Sequence, residues 1–295
     1  MKILLIVGSA GIDPWVSIEE LGQKTTFASC LTSEVETVWM QPNPSLDGSM
    51  MHSWLNEKAE RRFAEFRVNY NLRDPIELWN AVSAWCFNNV VRLVLGWRRR
   101  VPPRVEGDSQ RITFPYPTLY YLAPLRINNY LRHALENFEF DFLLRTTSTC
   151  YVDFDRLLAT ASESPPFGLY AGDIMTKRKV SFVGGAAILF SRDVVEQLVA
   201  NEALMRLDVH EDVAIGELFA RLGIASPTEI ARVDVAGKSS AEIIEAWRSP
   251  NNPFIFRCKV ANHWTDSVEP VVSLMSKVHN AIIHAKSATT EEGFI

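Results

Sequence analysis

Four cysteines in 295 residues is a small number, and Cys30, Cys86, Cys150 and Cys258 stand far apart. No Cys-x-x-Cys occurs, so a zinc ribbon and a dense disulfide framework are both ruled out, and buried reduced thiols are expected. A basic excess is missing too. Thirty Lys and Arg against 35 Asp and Glu leave a formal net charge of −5, which excludes the positive face of a general nucleic-acid binder. Long apolar runs are absent: Met1-Lys2-Ile3-Leu4-Leu5-Ile6-Val7-Gly8 is too short for a signal-peptide core or a spanning helix, and it reads as a buried first strand. There is no internal repeat, no low-complexity tract and no composition break that would mark a domain boundary.

What is present is a large apolar fraction, 47%, with 22% charged residues, enough to build a sizeable core. Lys2 to Val7 has the continuous aliphatic character of a parallel strand buried on both faces. The turn that follows, Gly8-Ser9-Ala10-Gly11, lacks the full dinucleotide fingerprint, yet a glycine turn after a first strand is where α/β folds bring backbone N–H groups to a nucleotide. A helix is expected from Val16 to Ser29, a strand from Val35 to Met40, and a loop from Gln41 to Gly48.

The stretch from Asp74 to Arg100 repeats Trp79, Val82, Trp85, Cys86, Val90 and Trp97 at helical spacing and closes on Arg98-Arg99-Arg100. Two readings are open, a core helix and a helix lying in a membrane interface. Further on, a short strand is expected at Arg111 to Phe114, a helix at Arg126 to Phe138 and a buried strand from Phe140 to Arg145. Asp153 and Asp155 belong at the start of the next helix, where capping accounts for them; substitute metal ligation is the other reading. Ala241 to Trp247 reads as a helix, Pro253 to Val260 as a strand, Asp266 to His284 as a final helix, and the end from Ser287 as frayed.

Two segments carry the chemistry. Ser181 to Asp193 reads as a strand with the pair Gly184-Gly185, at which a ligand or a second backbone can come close, and Ser191 as the N-cap of the next helix. Glu211-Asp212-Val213 sets two adjacent carboxylates at a helix start, where the dipole favours them.

Gly184-Gly185, the apolar run, Ser191-Arg192-Asp193, then Glu211-Asp212-Val213-x-x-Gly216 and Leu222-Gly223 together resemble the fringe and β-1,3-galactosyltransferase superfamily of glycosyltransferases. The match in order and spacing runs from about Phe140 to Ile224. The resemblance implies an α/β fold of the GT-A type, a Rossmann-like, mixed and mainly parallel sheet flanked by helices. It implies one domain, with residues 1–160 as a nucleotide-sugar half carrying a helical insertion at about 51–100, and residues 161–295 as an acceptor half with a C-terminal helix. Its chemistry is inverting transfer from a nucleotide-sugar donor to a hydroxyl of a glycan or glycolipid, with a possible place in cell-surface polysaccharide assembly. By the same analogy Asp212 is the base, and Glu211 positions it or contacts the acceptor. Gly8, Ser9, Gly11, Gln23, Arg145, Thr147, Ser148, Thr149 and His263 fall on the donor side, and Gly184, Gly185 and Trp264 on the acceptor side. Gln23-Lys24-Thr25-Thr26-Phe27 is similar to the family's Arg-rich Thr-Trp motif.

One departure from the family is sharp. Its galactosyltransferases show Lys-Thr-Asp-Asp-Asp before Val-Phe-Val, and the acids hold a divalent cation such as manganese or magnesium. Here Arg145-Thr146-Thr147-Ser148-Thr149 precedes Cys150-Tyr151-Val152, so the frame is kept and all three acids are gone. Hydroxyls are poor ligands for a hard cation. The expectation is therefore no metal and no cofactor, with Arg145 and the cluster Lys177, Arg178 and Lys179 offsetting the diphosphate. A cytoplasmic, bacterial-type relative is expected, touching the inner face of the membrane through 75–100, with no nucleic-acid partner. Two other classes stay open: a non-catalytic carbohydrate- or nucleotide-binding relative on the same frame, and a peripheral membrane scaffold.

Overall fold

The computed structural model describes residues 1–8, 14–27, 32–43, positions 75, 79, 82, 85, 86 and 89, and residues 103–106, 110–115, 123–177, 180–260 and 268–292. β1 (Ile3–Gly8) lies at the middle of the main sheet, parallel to β2 (Val35–Pro42) on one side and to β5 (Phe142–Thr147) on the other. Its aliphatic run is buried on both faces for a visible reason. Ile3, Leu5 and Val7 enter one hydrophobic core, while Leu4 and Ile6 enter the other.

Among the described residues the main sheet has eight strands in the order β11-β7-β10-β5-β1-β2-β4-β3. The added strands are β3 (Arg104–Glu106), β4 (Arg111–Phe114), β7 (Tyr170–Gly172), β10 (Ala187–Ser191) and β11 (Thr228–Glu229). The four central strands β5, β1, β2 and β4 run parallel; β10 and β3 are antiparallel to their neighbours β5 and β4. This is the mixed, mainly parallel α/β sheet expected, and the chain reverses its direction of travel across it between β1 and β5. The carboxyl ends of strands at such a switch point are where open α/β sheets form a ligand crevice.

Helices cover both faces. α1 (Trp15–Ile18) continues into a π-helical segment, Glu19–Gln23, instead of running as an α-helix to Ser29. The wider repeat carries Glu19 and Gln23 fully inside. α2 (Ala123–Asn137) buries Ile127, Tyr130, Leu131 and Ala134 and sets Tyr130 against Phe114 at 4.8 Å between ring centroids. α3 (Phe154–Glu163) follows β6 (Cys150–Val152). α4 (Arg192–Ala200) and α5 (Glu211–Leu222) cover the second core, and Gly223 ends α5 in the left-handed conformation at φ 64°. α6 (Ser240–Trp247) starts on a capping box between Ser239 and Glu242. α7 (Val268–Glu292) runs well past His284, so the frayed end expected from Ser287 is helical to Glu292.

Several expectations are corrected. Ser181 to Asp193 is two strands, β9 (Val180–Val183) and β10, belonging to different sheets. β9 pairs with β8 (Ile174–Lys177) in a separate hairpin. The strand expected over Pro253 to Val260 is only β13 (Ile255–Arg257), which lies between β12 (Arg232–Asp234) and β6. Asp153 and Ser191 hold N-cap positions without a side-chain cap bond. The Asp153 carboxylate is instead held by Lys286 Nζ at 2.8 Å and Trp247 Nε1 at 2.8 Å, and Asp155 by Lys286 at 2.7 Å, so α7 engages both acids. Ser191 Oγ is taken by the Leu169 N–H at 2.9 Å. Cys150 and Cys258 are buried free thiols, and burial pushes the Cys258 thiol well up; Cys86 is exposed, against expectation. Cys30 lies outside the described residues, as does most of 51–100. Within that stretch Trp79, Val82 and Trp85 are helical and exposed, at 70%, 45% and 66%, so the core reading does not hold at these positions. Among the described residues no helix is long and apolar enough to cross a membrane.

Candidate active site

The parallel register puts Gly8 level with Thr147 on β5 and with Met40 on β2. The carboxyl ends of the two middle strands therefore meet at Gly8, Arg145, Thr146 and Thr147. β10 runs back along β5, which brings the turn before it, Gly184 to Ala186, over the same edge. The turn is tied to β5 by Thr146 Oγ1, which donates to the Ala186 carbonyl at 3.1 Å.

Arg145 is the centre of the cluster. It is 8% exposed, and its guanidinium donates from Nη1 to the Gly185 carbonyl and from Nη2 to Glu211 Oε1. Asp212 takes the other side of the same turn: Oδ2 accepts the Gly185 N–H at 3.0 Å and Oδ1 accepts the Val213 N–H at 2.8 Å. Four predicted residues, Arg145, Gly185, Glu211 and Asp212, thus form one hydrogen-bonded constellation, although they come from three separate stretches of chain. The helix start expected at Glu211 is there, so the dipole of α5 favours both carboxylates.

Three successive N–H groups of the turn have fixed acceptors. Val183 donates to the Tyr170 hydroxyl at 2.9 Å, Gly184 to the Asp173 carbonyl at 2.8 Å, and Gly185 to Asp212. Burial pushes the Tyr170 hydroxyl up; the Val183 N–H opposes this and the Asp212 charge adds to it. Tyr170 was not singled out from the sequence. No local motif marks it, because its role depends on β7 meeting β10 and β9. His210, one residue before Glu211, is held below its ordinary value by burial, with Asp212 opposing the shift and Lys177 supporting it. Lys177, at the end of β8, is therefore within electrostatic reach of His210.

Other candidates are placed differently. Gln23 is fully buried; its amide donates to the carbonyls of Thr147 and Cys150, each at 3.1 Å, and accepts from Trp39 Nε1 at 3.1 Å. These bonds correct its role from contacting a donor to holding the turn from beneath. Gly184 is buried, and a Cβ there would stand 3.1 Å from Met175 Sδ, whereas Gly185 is half-buried. In the altered motif Ser148 and Thr149 are buried, and Thr147 Oγ1 and Thr149 Oγ1 lie 3.3 Å apart. Among the described residues no group of three or more His, Cys, Asp or Glu side chains is arranged to hold a metal ion. Ser9, Gly11, Arg178, Lys179, His263 and Trp264 lie outside the described residues. A cavity of about 430 Å³ opens on the flank of α5, lined by Val180, Leu204, Arg206, Leu218 and Arg221; it shares that helix with the acids but not their end of it.

No protein-family model matches the chain. A stretch of 123 residues, 35% of the chain, is 27% identical to the mouse UDP-GalNAc:β-1,3-N-acetylgalactosaminyltransferase 2. The chain spans only 24% of the length of that curated relative. Among solved structures, the galactosyltransferase LgtC in complex with donor and acceptor sugar analogs aligns over 94% of this chain and 95% of its own, with a TM-score of 0.39 and 9% identity. The apo form of mouse xyloside xylosyltransferase 1 aligns over 90% and 98%, with a TM-score of 0.37 and 8% identity. The proteins this chain is similar to are glycosyltransferases.

Proposed function

We propose that the chain is an inverting glycosyltransferase that moves a sugar from a nucleotide-sugar donor to a hydroxyl of a glycan or glycolipid. The observation that carries this reading is the junction at Gly185. Its N–H holds Asp212 at 3.0 Å while its carbonyl holds the Arg145 guanidinium, so a carboxylate base and a fixed cation face one turn at the sheet's switch point. The similarity to the mouse N-acetylgalactosaminyltransferase supports the same class.

The chemistry follows from those two charges. A carboxylate oxygen of Asp212 accepts the proton of the acceptor hydroxyl as that oxygen forms its bond to the anomeric carbon. The bond from the anomeric carbon to the phosphate oxygen breaks on the opposite face, its electron pair leaves with the nucleoside diphosphate, and the configuration inverts. Negative charge grows on the diphosphate, and Arg145 with Lys177 at the end of β8 offsets it. The hydroxyls of Thr147, Ser148 and Thr149 do not suit a hard cation, so the reading routes no step through a metal.

Asp212→Asn keeps the shape and removes the base. The expected result is a fall in transfer of about 10²–10⁴-fold, with the thermal shift given by the nucleotide-sugar donor nearly unchanged. Wild-type turnover is expected to persist in the presence of a chelator. Unchanged turnover in Asp212→Asn would overturn the base assignment, and donor binding without any turnover in the wild type would leave a binding protein on this frame.

A further inference from the structure

The Arg145 guanidinium sits between two glycines. A Cβ on Gly8 would lie 3.8 Å from Nη2 and 3.9 Å from Nε, and a Cβ on Gly185 would lie 3.6 Å from Nη1. Each glycine leaves space against the planar cation that any other residue would occupy. At Gly185 the Asp212 carboxylate stands nearer still, with Oδ2 3.3 Å from that Cβ position, so cation, glycine and carboxylate meet at the carboxyl ends of β1 and β5.

In the resting protein this cation is already matched by an anion. Its Nη2 edge is on Glu211, the first residue of α5, whose side chain is 14% exposed. A guanidinium this deeply buried needs such a partner, since an uncompensated charge there is costly. The edge that grips a carboxylate also grips a phosphate, because both present two oxygens to the same fork. Glu211 differs from Asp212 in one respect that decides the argument. Asp212 is fixed by two backbone N–H groups, at Gly185 and Val213, whereas the Glu211 carboxylate, on the first and partly exposed residue of α5, is held by the Arg145 side chain.

We propose that Glu211 holds the place of an anionic ligand on Arg145, and that the donor's diphosphate takes that place on binding while the Glu211 carboxylate is displaced toward solvent. The identity of the anion rests on the transferase reading above; the exchange itself does not. Glu211 is then a built-in competitor that weakens donor binding and compensates the charge of the buried cation when the site is empty.

The test is calorimetric titration with inorganic pyrophosphate, and with whichever nucleoside diphosphate gives the largest thermal shift. Wild type, Glu211→Gln, Arg145→Gln and the double variant are compared. Glu211→Gln is expected to bind both ligands about tenfold more tightly than wild type. The double variant is expected to bind no better than Arg145→Gln alone, because the gain exists only where the cation does. Glu211→Asp, which shortens the reach and keeps the charge, is expected to fall between; it decides the matter should Glu211→Gln not fold. Equal or weaker binding by Glu211→Gln, or a gain that survives loss of Arg145, overturns the exchange. If pyrophosphate binding tightens but no nucleotide sugar is bound or turned over, the exchange stands and the transferase reading falls. If nucleotide sugars are turned over while Glu211→Gln tightens nothing, the reverse holds.

Discussion

Replacing Gln23 by leucine removes three hydrogen bonds at one point, those to the carbonyls of Thr147 and Cys150 and from the Trp39 indole. At about 1 kcal/mol each, with a further penalty for buried groups left unmatched, the expected loss is about 3–5 kcal/mol, read as a lower urea midpoint with an unchanged slope. A near-neutral Gln23→Leu would show that the turn does not depend on this strut. The residue was legible as polar and helical, but its partners were not. Thr147 and Cys150 are 124 and 127 positions away, and no local pattern tells an inward amide from an outward one. Arg145 and Asp212 show the favourable case. Each stands inside a short ordered motif, so the residue types were readable even though their meeting at Gly185 depends on the pairing of β10 with β5.

Among the elements, α5 and β9 are packed backbone to backbone. A Cβ on Gly216 would fall 2.4 Å from Phe182 Cβ, 3.1 Å from Phe182 Cα and 3.2 Å from the Ser181 carbonyl. The last two are main-chain atoms, so a rotamer change cannot relieve the clash and the helix must shift. Gly216→Ala is therefore expected to destabilise the fold by about 1–3 kcal/mol despite alanine's better helix propensity, measured by chemical denaturation. A stabilised Gly216→Ala would refute the close packing. The same region shows where pattern reading stops. Ser181 to Asp193 is apolar and glycine-punctuated throughout, and periodicity has no means of showing that β9 ends one sheet and β10 begins a position in another. Lys177 stands out in the sequence as part of a basic cluster, but the hairpin that carries it does not, because Ile174–Lys177 is mostly exposed and offers no buried alternation. The bounds of α1 differ for another reason: a helix read to Ser29 at a 3.6-residue period does not foresee the π segment, whose wider repeat turns Glu19 and Gln23 inward.

On the scale of the whole molecule, two cores lie on either side of one sheet, and the alternation of Ile3, Leu4, Leu5, Ile6 and Val7 assigns each side chain to one of them. That much was written in the first strand. The strand order was not, since it is set by non-local pairing. Three half-buried histidines also shape the response of the fold to acid. His133, His210 and His279 are each held below the ordinary value of 6.5, in every case chiefly by burial. The unfolded chain therefore binds more protons than the native one below about pH 6.5, so stability falls as the pH drops through that range. Glu217 is shifted the opposite way, raised by burial, and contributes its stability at low pH. With three groups against one, the melting temperature is expected to be lower at pH 5.5 than at pH 7.5. A melting temperature higher at pH 5.5 than at pH 7.5 would contradict the burial of the imidazoles.

The hairpin of β8 and β9 shares no ladder with the main sheet among the described residues; β9 packs Phe182 and Val183 into the second core against α5, and its Val183 N–H and the Gly185 N–H just beyond it are held by the Tyr170 hydroxyl and the Asp212 carboxylate. Lys177 at the end of β8 and Gly185 beyond the last residue of β9 therefore belong to one continuous piece of backbone, so under the proposed transfer a phosphate met by Lys177 and a proton taken by Asp212 would be registered to each other by the β8–β9 pairing.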